Sequence, residues 1–495
     1  VPPPTERSSI KVQSERTIVA AVRLPDSTFD PRDPFGELRA LAEQAGAVVV
    51  GELVQNLDRP VAGTYMGSGK VEELKRLCEA LEAQTIIFDH DLSPKQIANI
   101  EKVTERKVLD RSELILDIFA GRATTHEAKL QVELAQLEYT YPRLRAMWSH
   151  LERIVGAGGI AGVGTRGPGE QQLEIDRRLA QNRKDDLKRR LAEIQARKRR
   201  EVYQRRLEHF TVGLVGYTNA GKSTVFNTMT AGGAYADDRL FATLMTRTRD
   251  WHLGNGLSVM LSDTVGFVRD LPHNLVASFK ATLEEATHAD VLLIVLDVSD
   301  PACEMHYATV NSTLDELFKD IRGSDHAEDA HWKEPERIVL LNKADRLKDN
   351  AELLVWLNKV PGGIPICALP ALEGQTPGQN KPLGQAELLD RVQALARGTI
   401  IDVIATVPLS DSKLIHLLES RGTVLERTYD TTAATLTLRI GQRQLELILS
   451  SGNARHLRLA SATDAPLPPH LIPRPPRTTT AWVSGPETTA SSPGA

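Results

Sequence analysis

The sequence predicts a multidomain α/β protein. A phosphate-loop nucleotide-binding domain is expected after a small α/β domain and a long helical hairpin, and before a small α+β domain of ferredoxin-like type. Three observations predict this. Apolar runs of strand length alternate with helical patterns from Thr17 to about Asp117, and again from Phe210 onward. Residues 216–223 read Gly-Tyr-Thr-Asn-Ala-Gly-Lys-Ser, a full match to G-x-x-x-x-G-K-[ST] between a strand pattern and a helix pattern. Stretches 124–150 and 170–208 keep helical periodicity and lack glycine, with Pro142 their lone proline.

Length and composition set the bounds. A chain of 495 residues exceeds one ordinary core and implies three or four domains. A 41% hydrophobic fraction supports packed cores. No apolar run reaches the roughly eighteen residues of a membrane span; candidates such as Val291–Val298 have strand length. Val1-Pro-Pro-Pro-Thr5 carries no basic-then-apolar signal pattern. Cys78, Cys303 and Cys367 lie far apart and outside any C-x-x-C spacing, against disulfides or zinc and for a reducing interior. A cytoplasmic monomer without a membrane span is expected, with peripheral attachment at a membrane left open. The net charge of −5 hides a local asymmetry.

Residues 1–16 read as disordered. In the N-terminal α/β domain, 17–123, Thr17–Arg23, Ala47–Gly51 and Thr85–Asp89 are strand patterns, and Phe35–Gln44, Gly69–Ala80 and Pro94–Thr104 are helical ones. The helical linker, 124–208, folds back at the glycine-rich loop Gly156–Gly169, an antiparallel hairpin. The nucleotide-binding domain spans 209–397, with a charged insertion near 322–336 and a Gly/Pro/Gln loop at 373–384. In 398–462, Ile400–Val407, Lys413–Arg421, Val424–Arg427 and Ala434–Ile440 suggest a β-α-β-β unit of ferredoxin-like type. The Pro/Thr/Ser-rich residues 463–495 should be disordered.

The phosphate loop names a ligand. Backbone N–H groups of Asn219 through Thr224 would wrap a β-phosphate at a helix N-terminus, with Gly216, Tyr217, Thr218, Ala220 and Gly221 completing the loop. Lys222 would bridge β- and γ-phosphate oxygens, and Ser223 would ligate Mg²⁺. Asp263-Thr264-Val265-Gly266 follows the apolar Leu257–Leu261, where a nucleotide fold puts D-x-x-G. Its aspartate would hold Mg²⁺ through water, and its glycine N–H would sense the γ-phosphate. Asn342-Lys343-Ala344-Asp345 ends the apolar run 337–341. A carboxylate at Asp345 can accept two hydrogen bonds from guanine, which adenine cannot offer; an unpaired group of that kind discriminates by roughly 10⁴–10⁵-fold. Cys367-Ala368-Leu369 sits where GTPases place Ser-Ala-Lys over the base. The order of these motifs resembles translation-factor-like GTPases, with GTP and GDP as ligands.

Two constellations lie outside that pocket. Residues 171–210 hold thirteen Lys/Arg against seven Asp/Glu, including Arg197-Lys-Arg-Arg200. By itself this reads as a solvated, self-paired helix. Gly162-Val-Gly-Thr-Arg-Gly167 matches G-x-G-x-x-G but follows no strand, so it reads as a loop tip. There Arg153 and Arg166 could approach phosphates.

Longer segments carry a specific resemblance. Residues 162–178, Gly-Val-Gly-Thr-Arg-Gly-Pro-Gly-Glu-Gln-Gln-Leu-Glu-Ile-Asp-Arg-Arg, are similar to the signature of the HflX family of GTPases. So are Asp110–Arg122, Glu127–Leu137, Gly67–Leu74, Leu92–Gln96 and Leu240-Phe241-Ala242-Thr243-Leu244. The resemblance, from about residue 17 to 450, implies a Ras-like GTPase domain between the α/β and helical parts and a small C-terminal domain like one in elongation factor G. It also implies association with the large ribosomal subunit and splitting or rescue of stalled ribosomes. The loop 156–169 and the basic helix 171–208 would then neutralise ribosomal RNA phosphates.

The resemblance assigns further roles. The switch segment Phe241, Ala242, Thr243, Leu244 and Met245 would close on GTP, with Thr243 on Mg²⁺ and the γ-phosphate. Lys222, Thr243 and Gly266 form the expected catalytic set, and Phe267 occupies the position of the usual water-orienting glutamine. Hydrolysis by the isolated chain should therefore be slow. Asn219 matches an asparagine that related GTPases use to hold K⁺, although a brace of the loop explains it equally. Met245-Thr-Arg247 replaces the family's Asp-Pro-Thr, and Cys367 and Leu369 replace Ser and Lys, which points to a different switch order and weaker cover of the base. Two other readings stand beside the ribosome-stimulated GTPase. One is a nucleotide-gated anti-association factor with incidental hydrolysis. The other is ATP-dependent RNA remodelling by the N-terminal domain through Gly67-Ser-Gly-Lys70, where Thr64 and Val71 break the phosphate-loop pattern.

Overall fold

The structure is a computed structural model. It describes residues 15–25, 33–156, 168–230, 246–254, 257–269, 283, 285–323, 332–347, 349–367, 384–450, 454, 456–463, 468 and 471. The loop tip 157–167, the switch segment 241–245, Ala368 and Leu369, and most of both termini and both insertions lie outside the described residues. The chain divides into two compact units, Val1–Val392 and Gln393–Ala495.

The first unit opens with a parallel four-stranded sheet in the order β2-β1-β3-β4. Its strands are β1 (Arg16–Arg23), β2 (Val48–Asn56), β3 (Thr85–Phe88) and β4 (Lys107–Asp110). Helices α1 (Gly36–Gln44), α2 (Ser68–Ala80), α3 (Pro94–Thr104) and α4 (Arg111–Arg122) cover both faces. The strand period of two explains how. Val19 and Ala21 pack with Phe35, Leu38, Leu41 and Ile115. Ile18, Ala20 and Val22 face the opposite way and pack with Val71, Leu74 and Ile100. A strand buried on both faces reads as a continuous apolar run, which made β1 and β3 legible. β4 and α4 are additions to the elements read from sequence.

Next come α5 (His126–Gly156) and α6 (Pro168–Glu208), an antiparallel pair. Leu130 and Leu134 pack on Leu187 and Leu191. Arg183 pairs with Glu133, and Lys184 and Lys188 with Glu138. Asp186 takes Arg189 and Arg190, so part of the basic excess is paired along the helix itself.

The nucleotide domain carries a six-stranded sheet ordered β10-β9-β8-β5-β7-β6. It comprises β5 (Thr211–Gly216), β6 (Arg247–Gly254), β7 (Leu257–Asp263), β8 (Val291–Asp297), β9 (Glu336–Asn342) and β10 (Ile364–Pro365). Only β6 runs antiparallel, against β7. Its described helices include α7 (Lys222–Met229), α8 (Cys303–Arg322) and α9 (Asn350–Lys359), and a further helix spans Gln385–Arg397. β5 lies centrally between β7 and β8, so the loop leaving it opens at the carboxyl edge of the sheet, where α/β folds take their ligands.

In the second unit, β11 (Ile400–Pro408), β12 (Thr423–Tyr429), β13 (Ala433–Gly441) and β14 (Arg458–Ser461) form an antiparallel sheet ordered β12-β13-β11-β14. One helix spans Ser412–Arg421 and another Gln442–Ser450. The β-α-β-β pattern is thus completed to β-α-β-β-α-β by a helix and a strand that the sequence reading lacked.

Candidate active site

The loop after β5 is shaped by two glycines that nothing else could replace. Gly216 has φ 153°, and a β-carbon there would fall 2.3 Å from the Val295 carbonyl oxygen on β8. Gly221 has φ 94°, and its β-carbon would fall 2.3 Å from Asn342 Nδ2. Between them Asn219 adopts the left-handed region at φ 61°, which asparagine tolerates better than most residues.

The guanine motif braces this loop. Asn342 Nδ2 donates to the Ala220 carbonyl at 2.8 Å. Lys343 Nζ donates to the Asn219 carbonyl at 3.0 Å and pairs with Asp297 at 2.5 Å. Asp297 was not singled out in the sequence, and its position at the end of an apolar strand was the available signal. Asp345 lies exposed in a 3-10 turn, Ala344–Arg346, and Cys367 is half-buried just beyond β10.

Lys222, Ser223, Asp263 and Gly266 are brought together. Lys222 is 6% exposed and donates to the Tyr217 carbonyl at 2.7 Å. Burial pushes its ammonium down to about 8, a displacement that the Asp263 carboxylate partly offsets. A buried cation of this kind favours an anionic ligand. Ser223 Oγ donates to Asp263 Oδ2 at 2.8 Å. A β-carbon on Gly266 would fall 2.8 Å from Lys222 Nζ, so only glycine lets this backbone approach the lysine. Thr264 and Val265 serve the packing: Thr264 Oγ1 donates to the Leu214 carbonyl at 2.6 Å, and Val265 is buried in the apolar cluster.

Phe267 is 1% exposed. Its N–H donates to the Gly216 carbonyl at 3.0 Å, and its carbonyl accepts from Thr218 N–H at 2.7 Å. Its ring belongs to one apolar cluster with Tyr217, Val268, Phe35 and Leu38, which joins the nucleotide loop to the N-terminal sheet.

Polar contacts follow the same seam. Tyr217 Oη donates to Glu37 at 2.7 Å, accepts from Arg269 N–H at 2.8 Å, and its ring stacks on His306 with centroids 3.7 Å apart. Asp89, just past β3 where the strand order reverses, pairs with Arg111 at 2.6 Å and Arg269 at 2.7 Å. Arg111 also pairs with Glu37. Burial pushes the Tyr217 phenol well above its usual range, helped by Glu37. Sequence reasoning gave none of these contacts, although isolated charges beside apolar strands were visible at Asp89 and Arg111.

The N-terminal Gly67–Lys70 segment is engaged otherwise. Gly67 N–H donates to Gln55 Oε1 at 2.8 Å, and Lys70 pairs with Glu73 at 2.8 Å.

Three family models match in chain order: "GTP-binding GTPase N-terminal" over 32–120, "GTP-binding GTPase Middle Region" over 122–206, and "50S ribosome-binding GTPase" over 211–343. The GTPase HflX of Lacrimispora saccharolytica is 46% identical over 314 residues, covering 63% of this chain and 73% of that one. That of Magnetococcus marinus is 40% identical over 416 residues, covering 83% and 89%. A crystal structure of SsGBP with GDP is similar at a TM-score of 0.41 and 26% identity, over 77% of this chain and 98% of that one. With phosphate loop, D-x-x-G and N-K-x-D converging at one sheet edge, and relatives matching over most of their length, the chain belongs to the HflX family of GTPases.

Proposed function

We propose that this GTPase acts on the large ribosomal subunit in the cytoplasm, splitting or rescuing stalled ribosomes, and that its turnover is low until the subunit is bound. One observation carries the reading: the residue after D-x-x-G, Phe267, is a buried aromatic with both backbone groups bonded to the phosphate loop. It cannot orient water as a glutamine does, so stimulation must come from elsewhere. The match of 211–343 to a family of 50S ribosome-binding GTPases supports the subunit as the source. The exposed arginines Arg197 and Arg200 on α6 and the loop 156–169 would meet RNA phosphates.

Within the pocket, Lys222 would hold β- and γ-phosphate oxygens, Gly266 N–H would sense the γ-phosphate, and Asp345 would read guanine. Ser223 Oγ and Asp263 Oδ2, 2.8 Å apart beside Lys222, are hard oxygen donors that suit Mg²⁺, with Thr243 as a further ligand. When bound there, Mg²⁺ would supply neutralisation of charge on the phosphate oxygens. Asn219 is the position proposed for K⁺.

GTP turnover with and without large subunits, in K⁺ and in Na⁺, tests the reading. Stimulation of at least about tenfold by subunits is expected, with a further gain in K⁺. Equal turnover with and without subunits sinks the ribosomal part, and equal turnover in the two salts sinks the K⁺ assignment. An anti-association module is the second reading, since a site lacking its own water-orienting side chain suits it as well. Repeated splitting with a non-hydrolysable analogue, without retention on the subunit, would favour it.

A further inference from the structure

The last turn of α6 meets the nucleotide domain through two neighbouring arginines. Arg206 pairs with Asp290 at 3.8 Å, and Asp290 accepts from Thr211 N–H at 2.9 Å at the start of β5. Arg205 reaches a different place. Its guanidinium donates to Thr248 Oγ1 at 3.4 Å and pairs with Glu285 at 3.6 Å. Thr248 Oγ1 donates to Glu285 Oε2 at 2.8 Å and lies 2.9 Å from Ser262 Oγ.

One hydroxyl therefore joins four segments. With its proton on Glu285, Thr248 Oγ1 has two lone pairs left, and these take the Ser262 hydroxyl and Arg205. Thr248 follows the switch segment 241–245 by three positions, and Ser262 immediately precedes Asp263 of D-x-x-G. Glu285 sits in a helical segment ahead of β8. Arg205 stands near the far end of a 41-residue helix, about 60 Å long, that begins within the glycine-rich loop.

Glu285 gives the arrangement a direction. Its side chain is 9% exposed, and Arg205 supplies its countercharge. Withdrawing the guanidinium leaves an uncompensated carboxylate, which is relieved when that carboxylate moves toward water. Thr248 is bonded to it and Ser262 to Thr248, so both are pulled along.

We propose that Arg205 is a positioning residue through which α6 sets the rate of GTP hydrolysis. Drawing the helix onto RNA phosphates parts Arg205 from Glu285, and the displaced Thr248 and Ser262 move the switch segment and Asp263. The inference rests on the reading that the large subunit stimulates turnover, and it supplies the route. Arg205 acts inside the protein, on a carboxylate, while the exposed arginines of α6 act on the RNA.

The test compares wild type, Arg205→Met, Glu285→Gln and the double variant as full chains. GTP turnover is measured with and without large subunits, and subunit binding by sedimentation with a non-hydrolysable GTP analogue. Arg205→Met leaves the carboxylate uncompensated, so turnover without subunits is expected to rise at least about threefold. Glu285→Gln keeps an acceptor for Thr248 but has no charge to relieve. Its turnover without subunits and its subunit binding should stay within about twofold of wild type, while stimulation falls at least about fivefold. The double variant should match Glu285→Gln, because the rise caused by Arg205→Met needs the carboxylate. Turnover that is unchanged or lower in Arg205→Met overturns the proposal, and so does full stimulation of Glu285→Gln. Loss of subunit binding in Glu285→Gln also overturns it, since that marks a docking role. A wild type that subunits leave unstimulated removes the underlying reading as well, whereas a stimulated wild type with an unaltered Arg205→Met removes only this route.

Discussion

The Tyr217 phenol donates a 2.7 Å hydrogen bond to Glu37, tying the second residue of the phosphate loop to helix α1. The phenol proton points to Glu37, and the phenol oxygen is left to accept from Arg269 N–H at 2.8 Å. The N-terminal sheet, the nucleotide loop and the segment after D-x-x-G are thereby joined through one hydroxyl.

That seam depends on Asp89. Removing it strips a partner from Arg111, 1% exposed, and from Arg269, 7% exposed. Asp89→Ala should destabilise the first unit by about 3–5 kcal/mol, the usual scale for breaking a buried ion pair. Chemical denaturation followed by tryptophan fluorescence would measure it, and a change under about 1 kcal/mol would show the seam to be slack.

Lys222 makes a pH prediction. Its folded value of about 8 lies below its ordinary 10.5, so the unfolded chain binds more protons between these values. The penalty of its buried charge is fully present below about pH 8 and is relieved as pH rises towards 10.5. Stability of the ligand-free protein should therefore gain from this residue across that window, and Lys222→Met should lose that slope. A phosphate ligand restores the ammonium, so GDP binding near pH 8 should take up protons, measurable by calorimetry in buffers of different ionisation heat.

The two glycine motifs should respond in opposite ways. Gly221→Ala places a methyl 2.3 Å from Asn342 Nδ2 at a φ of 94° and should lower GDP affinity more than about tenfold. Gly69→Ala meets nothing within 4 Å in helix α2. It should stabilise by up to about 1 kcal/mol and leave nucleotide turnover unchanged. ATP hydrolysis that depended on Gly69 would revive a nucleotide role for the N-terminal domain.

Asp345 should set base choice. Asp345→Asn leaves the guanine N1–H and amine without their common acceptor, and GTP affinity should fall by roughly 10²-fold or more. Xanthine presents a carbonyl where guanine has the amine, so the variant should gain affinity for XTP. Competition binding with GTP and XTP would show it, and an unchanged preference would remove Asp345 from the base site.

Legibility in the sequence followed distance along the chain. The phosphate loop is eight consecutive residues whose geometry depends on its own glycines, so pattern and conformation coincide. Long strands such as β1 and β8 announce themselves as apolar runs. The strand Arg458–Ser461 has four residues with no apolar run, and β4 merges into the helix that follows, so neither stood out. Glu37 and Tyr217 stand 180 positions apart, as do Asp89 and Arg269, and nothing local marks either pair.

By itself the sequence determined the nucleotide loop, the guanine motif, the order of folded parts and the absence of a glutamine at position 267. Each is written in neighbouring residues whose chemistry acts over a few ångströms of contiguous backbone. Only the tertiary structure decided that Phe267 is sealed in an apolar cluster reaching Phe35, and that Lys222 is buried beside Gly266. Burial and hydrogen-bond satisfaction belong to a group's surroundings, and those come from remote segments that meet only when the chain folds.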